Sequence, residues 1–234
     1  MFTFSPWRFA LTICFLQLIQ GEPTHQISQL NSFTKIHLAG GRFDLKLLQN
    51  SSSSSVDVFA EDTVRHLVLI DVIQTDILFI RMMENPNLVN QSKIIITIIY
   101  SNLTELFIDG MINIQCLNPI RVDELLVHNR ATGFVKLKLH VNFLDVYLHS
   151  IGHMKLCGQV NEEAAIHSLG VGEIQCSGLF TKKVDVISSG IGNIYVQATD
   201  EVNIILSGIG TVFYTGPLRK QIRTGLGNSI QRVD

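Results

Sequence analysis

From residue 33 onward the chain reads as alternating apolar and polar positions. Lys35-Ile36-His37-Leu38 alternates, Gly40-Gly41 turns the chain, and Phe43-Asp44-Leu45-Lys46-Leu47 alternates again. A period of two marks a strand with one face buried. Val56-Asp57-Val58-Phe59-Ala60, His66 to Ile70 and Ile77 to Met82 predict further strands. Polar or turn-forming runs separate them: Asn50 with Ser51 to Ser55, Gln74-Thr75-Asp76, and Glu84-Asn85-Pro86-Asn87, where Pro86 stops any strand. Ile94 to Tyr100 is intensely apolar but only a strand's length. No stretch carries a capped 3.6-residue apolar period, so the pattern predicts an all-β chain.

The second half repeats. A Ser or Thr is followed by a Gly-apolar-Gly turn and then a short strand: Gly170-Val171-Gly172, Ser189-Gly190-Ile191-Gly192, Ser207-Gly208-Ile209-Gly210 and Thr224-Gly225-Leu226-Gly227. Ser150-Ile151-Gly152 is a degenerate copy, and Asp109-Gly110-Met111 and Ala131-Thr132-Gly133 are weaker echoes. The second glycines, Gly152, Gly172, Gly192, Gly210 and Gly227, are 20, 20, 18 and 17 residues apart. A fixed period of this size is one coil of strand, turn, strand and turn, and coils stack through backbone hydrogen bonds about 4.8 Å apart. The prediction is a parallel β-solenoid with coils of roughly 17–21 residues. Glycine suits the corner because the chain needs positive φ there and adjacent coils leave no room for a Cβ. The apolar residue between the glycines (Val171, Ile191, Ile209, Leu226) is expected to plug the core. An antiparallel β-sandwich is the competing architecture, since short strands at such spacing also suit it.

Composition narrows the class. Of 234 residues 46% are hydrophobic and 16% charged, with a formal net charge of −2. A soluble domain averages about 25% charged residues, so the chain is charge-poor, yet too hydrophobic for disorder. Without a basic block it does not read as a nucleic-acid binder. The N-terminus predicts a secretory signal peptide over residues 1–21: Arg8 supplies a positive charge, Phe9 to Ile19 form a short apolar core, and Gly21 precedes the cut. That core is too short to span a bilayer, which takes about 20 residues, so no membrane span is expected. A linker over 22–32 and a solenoid domain over 33–234 follow, with a sub-boundary near 85–105. The expected location is extracellular, and Asn50, Asn90 and Asn102 each open a glycosylation sequon.

Cys116, Cys157 and Cys176 remain after the leader, an odd number for an oxidising compartment. A Cys157–Cys176 bridge and buried free thiols are both open readings. No CxxC, HExxH or GxSxG is present, so no catalytic motif, zinc finger or cofactor is indicated. The glycine pairs continue neither as a dinucleotide nor as a P-loop fingerprint. Calcium-binding nonapeptides would need aspartates, whereas Glu173, Asn193, Thr211 and Asn228 follow the glycines. His149-Ser150-Ile151-Gly152 and His167-Ser168-Leu169-Gly170 are near-copies 18 residues apart, and His128 lies 21 residues before His149. Stacked in a solenoid, His128, His149 and His167 would form an imidazole ladder, a weak candidate for zinc or copper; a surface row left by duplication is the plainer reading.

Two signatures in order carry a family resemblance. The first is Phe33-x-x-Ile36-x-Leu38-x-Gly40-Gly41-x-Phe43-Asp44-Leu45-x-Leu47-x-Gln49, followed by Val56-Asp57-Val58-x-Ala60. The second is the Ser-Gly-Ile-Gly and Gly-Ile-Gly-Asn repeat set. Over residues 33 to about 230 the chain resembles the "putative auto-transporter adhesin, head GIN domain" family. That resemblance implies a secreted or surface β-solenoid, mostly bacterial, with an adhesin role and no defined catalytic residues. The chain departs from the pattern in the poor glycine corners of residues 90–150 and in the serine run. The expected function is a non-catalytic adhesion or extracellular interaction module whose partner is a protein or glycan. The alternatives are a carbohydrate-active β-helix enzyme and a homo-oligomer built through exposed strand edges.

Overall fold

The computed structural model describes residues 24–83 and 94–233. It is a parallel β-solenoid of about 6 turns. The strands are β1 (Thr24–Gln29), β2 (Lys35–Gln49), β3 (Ser55–Ala60), β4 (Val68–Ile73), β5 (Ile77–Met82), β6 (Ile95–Tyr100), β7 (Glu105–Cys116) and β8 (Ile120–Asn129). They continue with β9 (Thr132–Leu148), β10 (Ile151–Ser168), β11 (Val171–Ser188), β12 (Ile194–Gln197), β13 (Glu201–Leu206), β14 (Gly210–Thr215), β15 (Leu218–Arg223) and β16 (Asn228–Arg232). One short helix, α1 (Asp62–Arg65), precedes β4, so the strand expected from His66 starts at Val68.

Each long strand bends through the coil and contributes to two walls. The first wall follows the glycine corner and stacks the later half of β2 on β7, β9, β10, β11, β12, β14 and β16. The second wall stacks the start of β2 on the start of β7, then β8, the ends of β9, β10 and β11, and finally β13 and β15. All of these pairs are parallel, which settles the competition with an antiparallel sandwich. Among the described residues antiparallel pairing is confined to the N-terminal end, where β1 pairs with β3, β3 with β6, and β4 with β5. The segment expected as a linker therefore contains a strand, β1, held by its ladder to β3. The expected sub-boundary near 85–105 does not divide the sheet, because β2 pairs with both β6 and β7.

The core is two sets of inward columns, one per wall. On the second wall Ile36, Leu106, Val127, Val146, Ile166, Val186 and Ile204 stack in register, all buried. On the first wall Leu45, Ile114, Val135, Met154, Ile174, Ile194 and Val212 do the same. β-branched residues fill such a column well because their stiff χ1 presents the same shape at every coil.

At the corner the glycines act in two ways. A Cβ on Gly172 would lie 1.7 Å from the Gly152 carbonyl oxygen, and one on Gly192 would lie 1.7 Å from that of Gly172. Gly170, Gly190 and Gly208 are crowded by the preceding coil's carbonyl at 2.1, 2.3 and 2.0 Å. Gly225 and Gly227 are less crowded, with nearest atoms at 3.3 and 3.7 Å, but hold φ of +88° and +79°. Between the glycines, the expected core plugs are not plugs. Val171, Ile191, Ile209 and Leu226 are exposed. Gly172 occupies the inward position next to the buried Ile174, and the period of two then turns Val171 outward.

Candidate interaction surface

The second wall carries a continuous outward column. Register places Phe79, His37, Phe107, His128, Tyr147, His167, Ile187, Ile205 and Ile222 one above another. The rings lie against one another: His37–Phe107 centroids are 5.5 Å apart, Phe107–His128 6.2 Å, His128–Tyr147 4.9 Å and Tyr147–His167 4.6 Å. The last two pairs are stacked at interplanar angles of 17° and 4°. Stacked rings cover one another's faces, so this column offers solvent a row of ring edges, imidazole nitrogens and the Tyr147 hydroxyl. His37 Nε2 already bonds Glu105 Oε1 at 2.8 Å.

This outcome revises the histidine ladder. His128 and His167 share the column, but Tyr147 stands between them, two coils apart. His149 is outside it. Gly152 pairs with Gly172, so the near-copies at His149 and His167 are two residues out of register. Among the described residues no group of three His, Cys, Asp or Glu side chains is placed to hold a metal ion. The column was nevertheless legible, since Phe107, His128, Tyr147 and His167 recur at intervals of 21, 19 and 20 residues.

Beside the column runs a groove of about 780 Å³ where β8, β9 and β10 bend into the second wall. Its lining includes Asp123, Glu124, Asp145, Glu163, Phe143 and Asn102, and among the described residues no Lys, Arg or His lines it. Asn142 donates to Asp123 Oδ1, and Asn161 Nδ2 donates to Asn142 Oδ1 at 2.7 Å, so a polar ladder fixes the groove's rim. On the next coils Asn203 Nδ2 bridges Asp185 and Glu201, at 2.8 Å to each. Four carboxylates beside an exposed Phe143 accept hydrogen bonds from hydroxyl or ammonium groups and offer an apolar contact.

The three thiols are free, and the Cys157–Cys176 bridge does not form. Cys176 faces inward and is buried, whereas Cys157 faces outward, pairs across the ladder with Gly178, and donates its thiol to the Leu137 carbonyl. Opposite faces of a wall cannot supply the Cβ approach a disulfide needs. Burial pushes the Cys176 thiol up to about 12 and the Cys116 thiol up to about 11. Asn50 and Asn102 have exposed side chains, and Asn90 lies outside the described residues.

A parallel solenoid with a rigid ring column and an acidic groove is the class of protein these features define. The chain belongs to the family described as "Putative auto-transporter adhesin, head GIN domain", whose profile matches residues 32–217. Among solved structures it is similar to a "putative adhesin" from Bacteroides fragilis, with 24% identity, TM-score 0.80, and coverage of 91% of this chain and 97% of that one. It is similar to a "putative lipid binding protein" from Parabacteroides distasonis at 19% identity and TM-score 0.70, covering 92% and 98%. A "putative adhesin" from Parabacteroides merdae matches at 20% identity and TM-score 0.62, covering 92% and 97%. No curated protein matches the chain.

Proposed function

We propose that the protein is a secreted, non-catalytic adhesion module that holds an extracellular glycan or protein against its second wall. The groove over β8, β9 and β10 carries this reading: four carboxylates and Phe143 are set on strands locked into a ladder, so the site is pre-organised and loses little entropy on binding. Membership of an adhesin family supports it. Residues 1–21 act as the secretion signal in this reading, and Asn50, away from the groove, carries a glycan on an exposed turn. A glycan array and a pull-down from host-surface extract test it. The parent protein retains a ligand, and Asp145→Asn/Glu163→Gln weakens retention by about tenfold or more, as expected when charged hydrogen-bond partners are removed. Equal retention by parent and variant refutes the groove as the binding site.

The same carboxylates favour one second reading, a carbohydrate-active enzyme, because paired acids on a β-helix wall suit glycosidic cleavage. Release of reducing ends from a bound polysaccharide, lost in Glu163→Gln, distinguishes it from adhesion.

A further inference from the structure

The glycine corner that joins the two walls carries a second exposed feature, independent of the groove. Its outward position is apolar in most coils: Met111, Ile151, Val171, Ile191 and Ile209 are 51, 65, 45, 50 and 53% exposed. Ile151 pairs with Val171, Val171 with Ile191, and Ile191 with Ile209, so the row is continuous from Ile151 to Ile209. Thr132 pairs with Ile151 and interrupts it once; Arg42 pairs with Met111 and begins it. At about 4.8 Å per coil the row is on the order of 30 Å long. Folding does not require these side chains, because the core columns are complete without them.

The shape of the row selects its occupant. Val171, Ile191 and Ile209 each stand between two glycines and Ile151 between serine and glycine, and the exposed apolar Leu169 and Phe134 lie alongside. The result is a narrow convex ridge. A stable protein partner covers about 800 Å² on each side, which a rigid surface does not achieve along a narrow ridge. Two such ridges facing each other would bury less still. A bilayer deforms around every knob and accepts apolar side chains about 5–10 Å into its headgroup boundary. Charge points the same way. Arg42 lies in the row, Arg130 and His149 are exposed where the second wall enters the corner, and His153, Lys136 and Lys155 are exposed just beyond it on the first wall. The acidic groups there are three, Asp109 at 4.0 Å from Arg130, Asp44 and Glu173, and the four exposed Arg and Lys outnumber them.

We propose that this corner is a membrane-docking ridge, its apolar knobs seated in the interface of an anionic bilayer with Arg42, Lys136 and Lys155 against the headgroups. Co-sedimentation with vesicles of phosphatidylglycerol and phosphatidylcholine, against phosphatidylcholine alone, tests it on the purified protein. The parent partitions onto anionic vesicles. Ile191→Ser/Ile209→Ser lowers that partition by about tenfold or more, from the apolar area two isoleucines lose, with an unchanged circular dichroism spectrum. Lys136→Glu/Lys155→Glu removes the preference for anionic over neutral vesicles. Asp145→Asn/Glu163→Gln, the groove variant, sediments like the parent. Absence of parent binding, or equal binding by parent and Ile191→Ser/Ile209→Ser, overturns the ridge as a membrane site. So does a parent dimer that Ile191→Ser/Ile209→Ser dissociates, which would give the ridge to a second copy.

Discussion

Gly192 and Gly178 both sit in coils of the same wall, yet a methyl group means different things at each. At Gly192 the added Cβ would fall 1.7 Å from the Gly172 carbonyl oxygen, and φ is +141°. The atom in the way is backbone, so relief requires two coils to separate and lose ladder hydrogen bonds. At Gly178 the nearest atom is the Cys157 Cβ at 3.4 Å, ordinary contact, with no positive φ. Gly192→Ala should therefore cost about 3 kcal/mol or more, summing overpacking and strain. Gly178→Ala should stay within about 1 kcal/mol of the parent, since alanine narrows the unfolded ensemble. Urea denaturation of the two variants measures the difference, and similar losses would contradict the steric account. The Tyr100 hydroxyl is a different residue-level feature: it is buried with no partner among the described residues, and burial raises its pKa far above the ordinary tyrosine range.

At the scale of the strand, the period of two decides which thiol meets solvent. Cys157 is expected to react with a thiol reagent in the folded protein, and Cys116 and Cys176 only after unfolding. The buried thiols also set an alkaline limit. In the unfolded chain they ionise near 9.0, in the folded one at about 11 and about 12. Above pH 9 the unfolded state releases protons that the folded state keeps, so their contribution is complete below that pH and declines as pH rises. Each group lowers stability by up to about 1.4 kcal/mol per pH unit in that window. Comparing urea midpoints at about pH 7.5 and about pH 10.5 should show a fall that Cys116→Ala/Cys176→Ala makes shallower. An equal fall in both proteins would assign the alkaline loss elsewhere.

These thiols also show what the sequence made legible. The in-and-out alternation of each strand and the glycine intervals were readable, because both follow from local sterics within one coil. Pairing between coils was not. A register shift of one residue reverses the face of every side chain, and the ladder between β10 and β11 is irregular between Lys155 and Cys157 and between Val160 and Glu163. Lys155 pairs with Gln175, so Cys176 falls level with Leu156 and on the opposite face from Cys157, just as coils of unequal length put His149 out of line with His167. The corner residues were misplaced for a related reason. An isoleucine between glycines looks like core by composition, and only its phase relative to Ile174, Ile194 or Val212 turns it outward. At the antiparallel N-terminal end β3, β5 and β6 were legible as strands, whereas β1 was expected to be linker, since nothing in Thr24–Gln29 names β3 as its partner.

Across the whole molecule, stability is a sum over neighbouring coils, and the ends have one neighbour fewer. At the N-terminal end the stack closes with antiparallel pairs, and Val56, Val58, Ala60 and Val64 are buried beneath them. At the C-terminal end β15 and β16 pair on one edge only among the described residues, and Leu218–Arg223 is exposed at nearly every position. The middle coils β9, β10 and β11 are joined along almost their full lengths. Amide hydrogen exchange should therefore be slowest in β9, β10 and β11 and fastest in β15 and β16, with partial opening that spreads inward from the C-terminal end. A pair of core truncations separates this gradient from a single cooperative unit. Ile166→Ala, fully buried between Val146 and Val186, should cost about 3 kcal/mol and speed exchange throughout the stack. Ile230→Ala, half-buried in the last coil, should cost about 1 kcal/mol and speed exchange only in β14 and β16. Uniform acceleration by both variants would mean that the final coil is not an independent opening unit but as firmly joined as the middle ones.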